Sequence, residues 1–419
     1  MSQPDAKLLP FPKAPRERRP RDPRIDAFRG LALAMIFIDH MPGNPYEHFT
    51  LRNWGFSDAA EAFFVMSGIA AGLAYAGRFL PESRAEKGIW PAVAPVWSRA
   101  WTLYLVHLFL TLAVITMFAA GAEYFGMASL LQKHNLGAVW DDPQETLFGL
   151  TLLGHQIGYV NILPVYTVLL LAAPAAILLA LKRPWLLFAL SAGLWFAAGL
   201  WRLNLPNFPK QGSWFFSPAS WQFIFVTGLL IGIYMRRGER FVARSKWLFG
   251  IAAAFLIFTL VWKYVPGVGP FMNNQMWKLS ELGLPFHITS HNKTFLATPR
   301  LLHALALVYV ISCIPWVTRL CAHRLAAPLR LMGRQGLLVF AAGTVLALGF
   351  QVILFGTDKA PPLAWGLPPV GLALLLSLAW AADWRRRRES VRLPDQPLRR
   401  EELRARAAPM TAPKLGGTS

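Results

Sequence analysis

RIDAFRGLALAMIFIDHM, residues Arg24 to Met41, is the stretch on which the reading of this chain turns. It is apolar enough to lie in a bilayer, yet it carries Asp26, Arg29, Asp39 and His40. At about 1.5 Å and 100° per residue, the eleven-residue step from Arg29 to His40 puts both on nearly one helix face, roughly 16 Å apart. A fixed cation and a titratable base thus share a stripe. Charges within a membrane helix cost free energy and face a cavity or a partner, which makes the pair a candidate site. The plainer alternative is a signal-anchor helix whose Arg29 snorkels and whose His40 meets water at the far end.

Composition extends the membrane reading to the whole chain. Hydrophobic residues make up 55% and charged residues 15% of 419, with 17 Trp and 29 Phe, outside the range of soluble domains. The net charge of +20 is spread in short clusters between apolar runs, so it reads as topology-determining and not as a nucleic-acid surface. With roughly 20 apolar residues per crossing, the pattern predicts an all-α polytopic protein of about ten transmembrane helices in one bundle. The predicted spans are Ile25–Met41, Ser57–Phe79, Val96–Ala120, Asn161–Leu181, Trp185–Leu203, Ala219–Met235, Trp247–Tyr264, Leu301–Thr318, Leu331–Phe355 and Leu363–Trp384. The Pro- and Arg-rich arm 1–23 and the Arg-rich tail 385–419 lack periodicity and are expected to be disordered, flanking a membrane domain at 24–384. No small-residue cleavage site follows the basic arm, and no internal repeat of fixed period is visible. Cys313 and Cys321 are expected on one helix, where an eight-residue step of roughly 12 Å is too long for a disulfide.

Most of the 42 Lys and Arg residues fall in the arm, the tail and every second loop. The positive-inside rule then predicts both termini cytoplasmic, in agreement with an even number of spans. Two outer loops, Gly121–Val160 and Pro266–Arg300, are long enough to imply a lid or binding surface, or segments lying on the membrane. A third outer segment, Leu203–Pro218, is rich in Pro, Asn and aromatics, suited to stacking on sugar rings or to an interfacial aromatic belt.

The polar residues within the spans collect near their outer ends. Asp58 and Glu61 open the second span three residues apart; they form a capping box, stabilise charge on His40, or both. Arg99 and His107 lie on the third span, where a lone His107 is also read as a helix-packing residue. Asn161 opens the fourth span, Gln222 the sixth, and Arg300 with His303 the eighth, one turn apart. Gln351 reads as interhelical glue. No metal-ligand spacing, phosphate-cradling Gly loop or Ser-His-Asp order is present. What remains is a His-centred site among basic residues: imidazole suits proton removal from a hydroxyl near neutral pH, and Arg suits an anionic donor.

Arg29, ten intervening residues and His40 resemble the signature of membrane acyltransferase family 3. More specific are Arg24-Ile25-Asp26-Ala27-Phe28-Arg29-Gly30 and the run Gly55-Phe56-Ser57-Asp58-Ala59-Ala60-Glu61-Ala62-Phe63-Phe64-Val65-Met66-Ser67-Gly68, which together resemble the OpgC family. The resemblance continues through Arg99, Tyr104, His107, Asn161 to Tyr166, Trp221-Gln222, Arg300 to His303 and Leu331 to Arg334. It departs at Phe216 to Ser220 and at Gln335-Gly336-Leu337, which bears on the particular glucan or acyl group.

The resemblance implies an O-acyltransferase of the bacterial inner membrane that adds succinyl groups to osmoregulated periplasmic glucans. Acyl-CoA, and succinyl-CoA in particular, would be the donor, with no permanently bound cofactor or metal and with glucan-synthesis proteins as partners. His40 is then the general base, and Asp58 or Glu61 orients it or stabilises its imidazolium. Arg29, Arg99 and His107 hold the donor, while Asn161, Gln222, Arg300 and His303 hold the acceptor. Two other classes share the spans: a transporter of an acyl donor or polyol, although no paired repeats are found, and a non-catalytic scaffold.

Overall fold

The computed structural model describes residues 22–392; the remainder of the arm and of the tail lies outside the described residues. The regular structure of the described residues is helical, with one isolated antiparallel bridge between Pro206 and Ser213. In chain order the helices are α1 Pro23–Asp39, α2 Ala59–Tyr75, α3 Pro81–Lys87, α4 Trp90–Tyr124, α5 Gly137–Asp141 and α6 Pro143–Thr151. They continue with α7 Ile162–Lys182, α8 Pro184–Leu200, α9 Pro218–Arg237, α10 Lys246–Tyr264 and α11 Val268–Glu281. The last are α12 Thr298–Cys313, α13 Pro315–Ala322, α14 Ala327–Arg334, α15 Gly336–Gly356 and α16 Pro361–Arg392.

Seven described helices are long and apolar enough to cross a membrane, or eight if the bent pair α12 and α13 counts as one span. The protein is therefore a multi-pass membrane protein. Of the ten predicted stretches, those of α1 and α8 are 17-residue helices, about 25 Å long, just under the core thickness of a bilayer. The eighth stretch is broken by an 82° bend where Pro315 denies the helix a backbone donor, so Cys313 and Cys321 stand on two helices and not on one. The ninth is interrupted at Gln335, which separates α14 from α15. The C-terminal helix runs on to Arg392, eight residues into the tail expected to be disordered.

Small residues set the tightest packing. Gly68 and Gly72 of α2 face Gly228 and Gly232 of α9, and a Cβ on any of the four would run into the partner helix backbone. Two glycines four residues apart on each helix let the backbones meet, the usual means of association where lipid removes the hydrophobic drive. Gly30 of α1 and Gly333 of α14 do the same, against Leu329 and Asp26 respectively. Both contacts bring α1 against α14.

Candidate functional site

α1 begins where the Asp22 carboxylate accepts from the Arg24 backbone N–H at 2.9 Å, with Pro23 at the first helical position. It ends at Asp39, before Pro42, Gly43 with a φ of 92°, and Pro45. The exit turn is locked by Asn44, whose amide donates to the carbonyls of Ile38 at 2.9 Å and Met41 at 2.7 Å. Thr50 Oγ1 donates to Asp39 Oδ1 at 2.7 Å. His40 is thereby presented at the helix end, into a cavity of about 780 Å³.

That cavity is lined by residues from distant parts of the chain. Asp39 and His40 come from the end of α1, Arg52 from the following loop, Asp58 from the start of α2 and Asn161 from the start of α7. His134 and Tyr159 come from the long connection between α4 and α7. Asn207, Trp214, Phe215 and Phe216 come from the aromatic segment before α9, and Lys293 and Arg300 from the loop leading into α12 and from its first turn. The aromatic segment thus forms part of a cavity wall. Tyr159 stands between two imidazoles, its ring centroid 4.7 Å from that of His40 and 5.0 Å from that of His134.

Asp58 and Glu61 form the expected capping box: the Asp58 carboxylate accepts from Ala60 N–H at 2.8 Å, and Glu61 accepts from Asp58 N–H at 2.8 Å. The same carboxylates are also ion-paired. Lys293 Nζ lies 2.5 Å from Asp58 Oδ2, and the Arg300 guanidinium reaches Asp58 Oδ2 at 3.0 Å and Glu61 Oε1 at 2.7 Å. Glu61 is fully buried. Neither carboxylate hydrogen-bonds His40, whose Nδ1 is buried without a partner among the described residues. Any effect of Asp58 on His40 is therefore through space, and Glu61 serves to fix Arg300.

Arg29 lies elsewhere. It lines a second cavity, of about 250 Å³, with Arg99, Arg334, Tyr75 and Tyr166, and it donates to the Gly333 carbonyl at 3.4 Å. Arg29, within α1, and His40, the residue that caps it, open into different spaces. Phe340 of α15 lines both cavities, with its ring 5.8 Å from that of Phe63, while Leu33 and Ile36 of α1 face one cavity each. Phe340 is thus an apolar side chain common to both spaces.

Three expected site residues are taken up by packing. His107 is fully buried in α4 and lines neither cavity, so its donor-binding role is not supported by position. Gln222 bridges α9 to α8, accepting from Ser191 Oγ at 2.5 Å and donating to the Ser191 carbonyl at 2.8 Å, and does not line the His40 cavity. His303 Nδ1 accepts from the Ser57 backbone N–H at 3.3 Å and lies 2.7 Å from Ser57 Oγ; its ring occupies the space a side chain at Gly55 would need. It anchors the entry to α2 and does not face the cavity. Arg99, Asn161 and Arg300 do reach cavities as expected. His134 and Tyr159 come from the connection Gly121–Val160 and Lys293 from Pro266–Arg300, the two long loops expected to form a lid or binding surface, where no periodicity marks which side chains turn inward.

Outside the spans, burial holds His134, His155 and His291 below the ordinary imidazole range, so each favours the neutral form. Among the described residues no group of three or more His, Cys, Asp or Glu is placed to hold a metal ion. No curated protein and no solved structure matches the chain. A protein-family comparison does: the family described as OpgC protein matches residues 21–387, a range that takes in the residues lining both cavities. The chain belongs to the OpgC family.

Proposed function

We propose that this protein is an O-acyltransferase of the bacterial inner membrane, within the acyltransferase 3 superfamily. It moves an acyl group, succinyl in the reading the family favours, from a cytoplasmic acyl-CoA to a hydroxyl of a periplasmic glucan. The observation that supports this best is the pair of cavities meeting at Phe340, one lined by Arg29, Arg99 and Arg334 and the other by His40 and an aromatic wall. With both termini cytoplasmic and ten crossings, α1 and α8 included, the Arg-lined cavity opens inward toward the anionic donor. The His40 cavity then opens outward toward the carbohydrate.

In direct transfer His40 takes the proton of the acceptor hydroxyl as its oxygen attacks the thioester carbon. The C–S bond then breaks, and the thiolate of CoA recovers the proton from the imidazolium. Arg29 and Arg99 bind the phosphates or carboxylate of the donor through fixed donor forks. Lys293, Asp58 and Arg300 form a rigid charged wall beside the acceptor. Partners in this reading are the bilayer, the acyl-CoA, the glucan and the proteins that synthesise it.

The same two-cavity layout would serve a transporter that passes an acyl donor across. Purified protein in detergent, given acyl-CoA and glucan with no membrane gradient, decides between them. Ester formed on the glucan is the expected result; donor binding without ester would reject the enzyme reading.

A further inference from the structure

The cavity at the end of α1 holds a second imidazole, His134. Its own backbone and that of Asn135 and Tyr159 adopt left-handed φ values of 56°, 69° and 70°, and all three residues line the cavity. Such a conformation is uncommon for a residue with a side chain and persists where surroundings hold it. Here the surroundings are visible: Gly158 N–H donates to the His134 carbonyl at 2.9 Å, and the Asn135 amide donates to the Gln156 carbonyl at 3.2 Å. The two strands of the loop are clasped so that His134 and Tyr159 project toward His40.

The hydrogen bonds of His134 define which nitrogen carries its proton. Gln351 Nε2 donates to the backbone carbonyl of His40, a group that can only accept, so the Gln351 amide cannot be turned around. Its Oε1 is therefore the atom 2.8 Å from His134 Nε2, and that nitrogen must be the N–H donor. In the neutral ring Nδ1 is left with a lone pair. Beside it stands Gly158, also on the cavity wall; a Cβ at 158 would lie 3.4 Å from Nδ1, so glycine keeps that side open.

We propose that His134 is an acceptor-binding residue: its Nδ1 accepts a hydrogen bond from a carbohydrate hydroxyl adjacent to the one that faces His40. The proposal rests on reading the His40 cavity as the acceptor site. It names the substrate class by chemistry, a sugar with neighbouring hydroxyls, one placed for reaction and one for orientation. Gln351, bonded both to the His40 backbone and to the His134 ring, couples the two imidazoles into one unit.

Two substitutions separate binding from scaffolding. His134→Asn keeps an acceptor atom near the Nδ1 position and tolerates the left-handed backbone, but loses the bond to Gln351. His134→Gln keeps a donor near the Nε2 position but has no acceptor where Nδ1 was. The probe is periplasmic glucan stripped of its acyl groups with mild base, titrated calorimetrically into the full-length protein in detergent. Loss of one such hydrogen bond weakens glucan binding about tenfold in His134→Gln, while His134→Asn stays within about threefold of the original protein. Acyl-CoA affinity is unchanged in both, which also reports folding. Equal glucan affinity in His134→Gln and the original protein, a larger loss in His134→Asn, or no glucan binding at all would overturn the assignment. Glucan binding that depends on His134 without ester formation would leave this assignment standing and remove the acyl-transfer reading instead.

Discussion

Arg300→Met is the perturbation whose outcome the geometry specifies most closely. The guanidinium is 11% exposed and forks between Glu61, with no exposed side-chain surface, and Asp58. Replacing it with a thioether of similar length leaves Glu61 charged, buried and unpaired. Removing one partner of a buried pair costs about 3–5 kcal/mol, against about 0–1 kcal/mol for a surface pair. Asp58 keeps Lys293 and the Ala60 N–H, so the loss falls on Glu61. Adding Glu61→Gln to Arg300→Met removes the stranded charge while retaining an acceptor for the Asp58 N–H, and should restore all but about 1.5 kcal/mol. Equilibrium unfolding in mixed micelles, followed by tryptophan fluorescence, measures both. A single-mutant cost below about 1 kcal/mol, or a double mutant no more stable than the single, would refute the claim that Arg300 is committed to the carboxylates.

His40→Ala should lower turnover by about 10²–10⁴ with little change in stability, because the ring makes only an edge contact with Tyr159 and its Nδ1 has no partner; labelled acyl transfer to glucan checks this, and full turnover would exclude His40 as the base. Phe340→Ala removes the ring shared by both cavities and should raise acyl-CoA hydrolysis in the absence of glucan relative to transfer, as read by free CoA release. For a His whose folded pKa lies below its ordinary 6.5, the unfolded chain binds more protons in between, so the stabilising contribution is complete above pH 6.5 and is lost as pH falls below it. Unfolding midpoints recorded from pH 8 to pH 5 should therefore drop once pH passes below about 6.5, and less steeply in His155→Asn; a flat profile would contradict the burial of these rings.

Membrane residence, helical class and the positions of the apolar helices were legible from composition and run length, since hydropathy and the rise per residue are local properties. The capping box at Asp58 and Glu61 was legible for the same reason: its partners are three residues apart. The stripe expected to join Arg29 to His40 stops one residue short of its end, since α1 runs to Asp39 and His40 is its C-cap. Its division between two cavities was not visible there, because Phe340 enters from α15, some three hundred residues along the chain. Likewise Arg300 meets Glu61 across 239 residues and Gln351 meets His40 across 311, separations for which no periodic pattern carries a signal. Gln222 and His303 look like site residues by type, and only their hydrogen-bond partners show them to be engaged between helices and at the entry to α2. Short-range chemistry chose the helices; the close approach of glycine-bearing backbones chose which side chains face a shared space, and so which of them can act together.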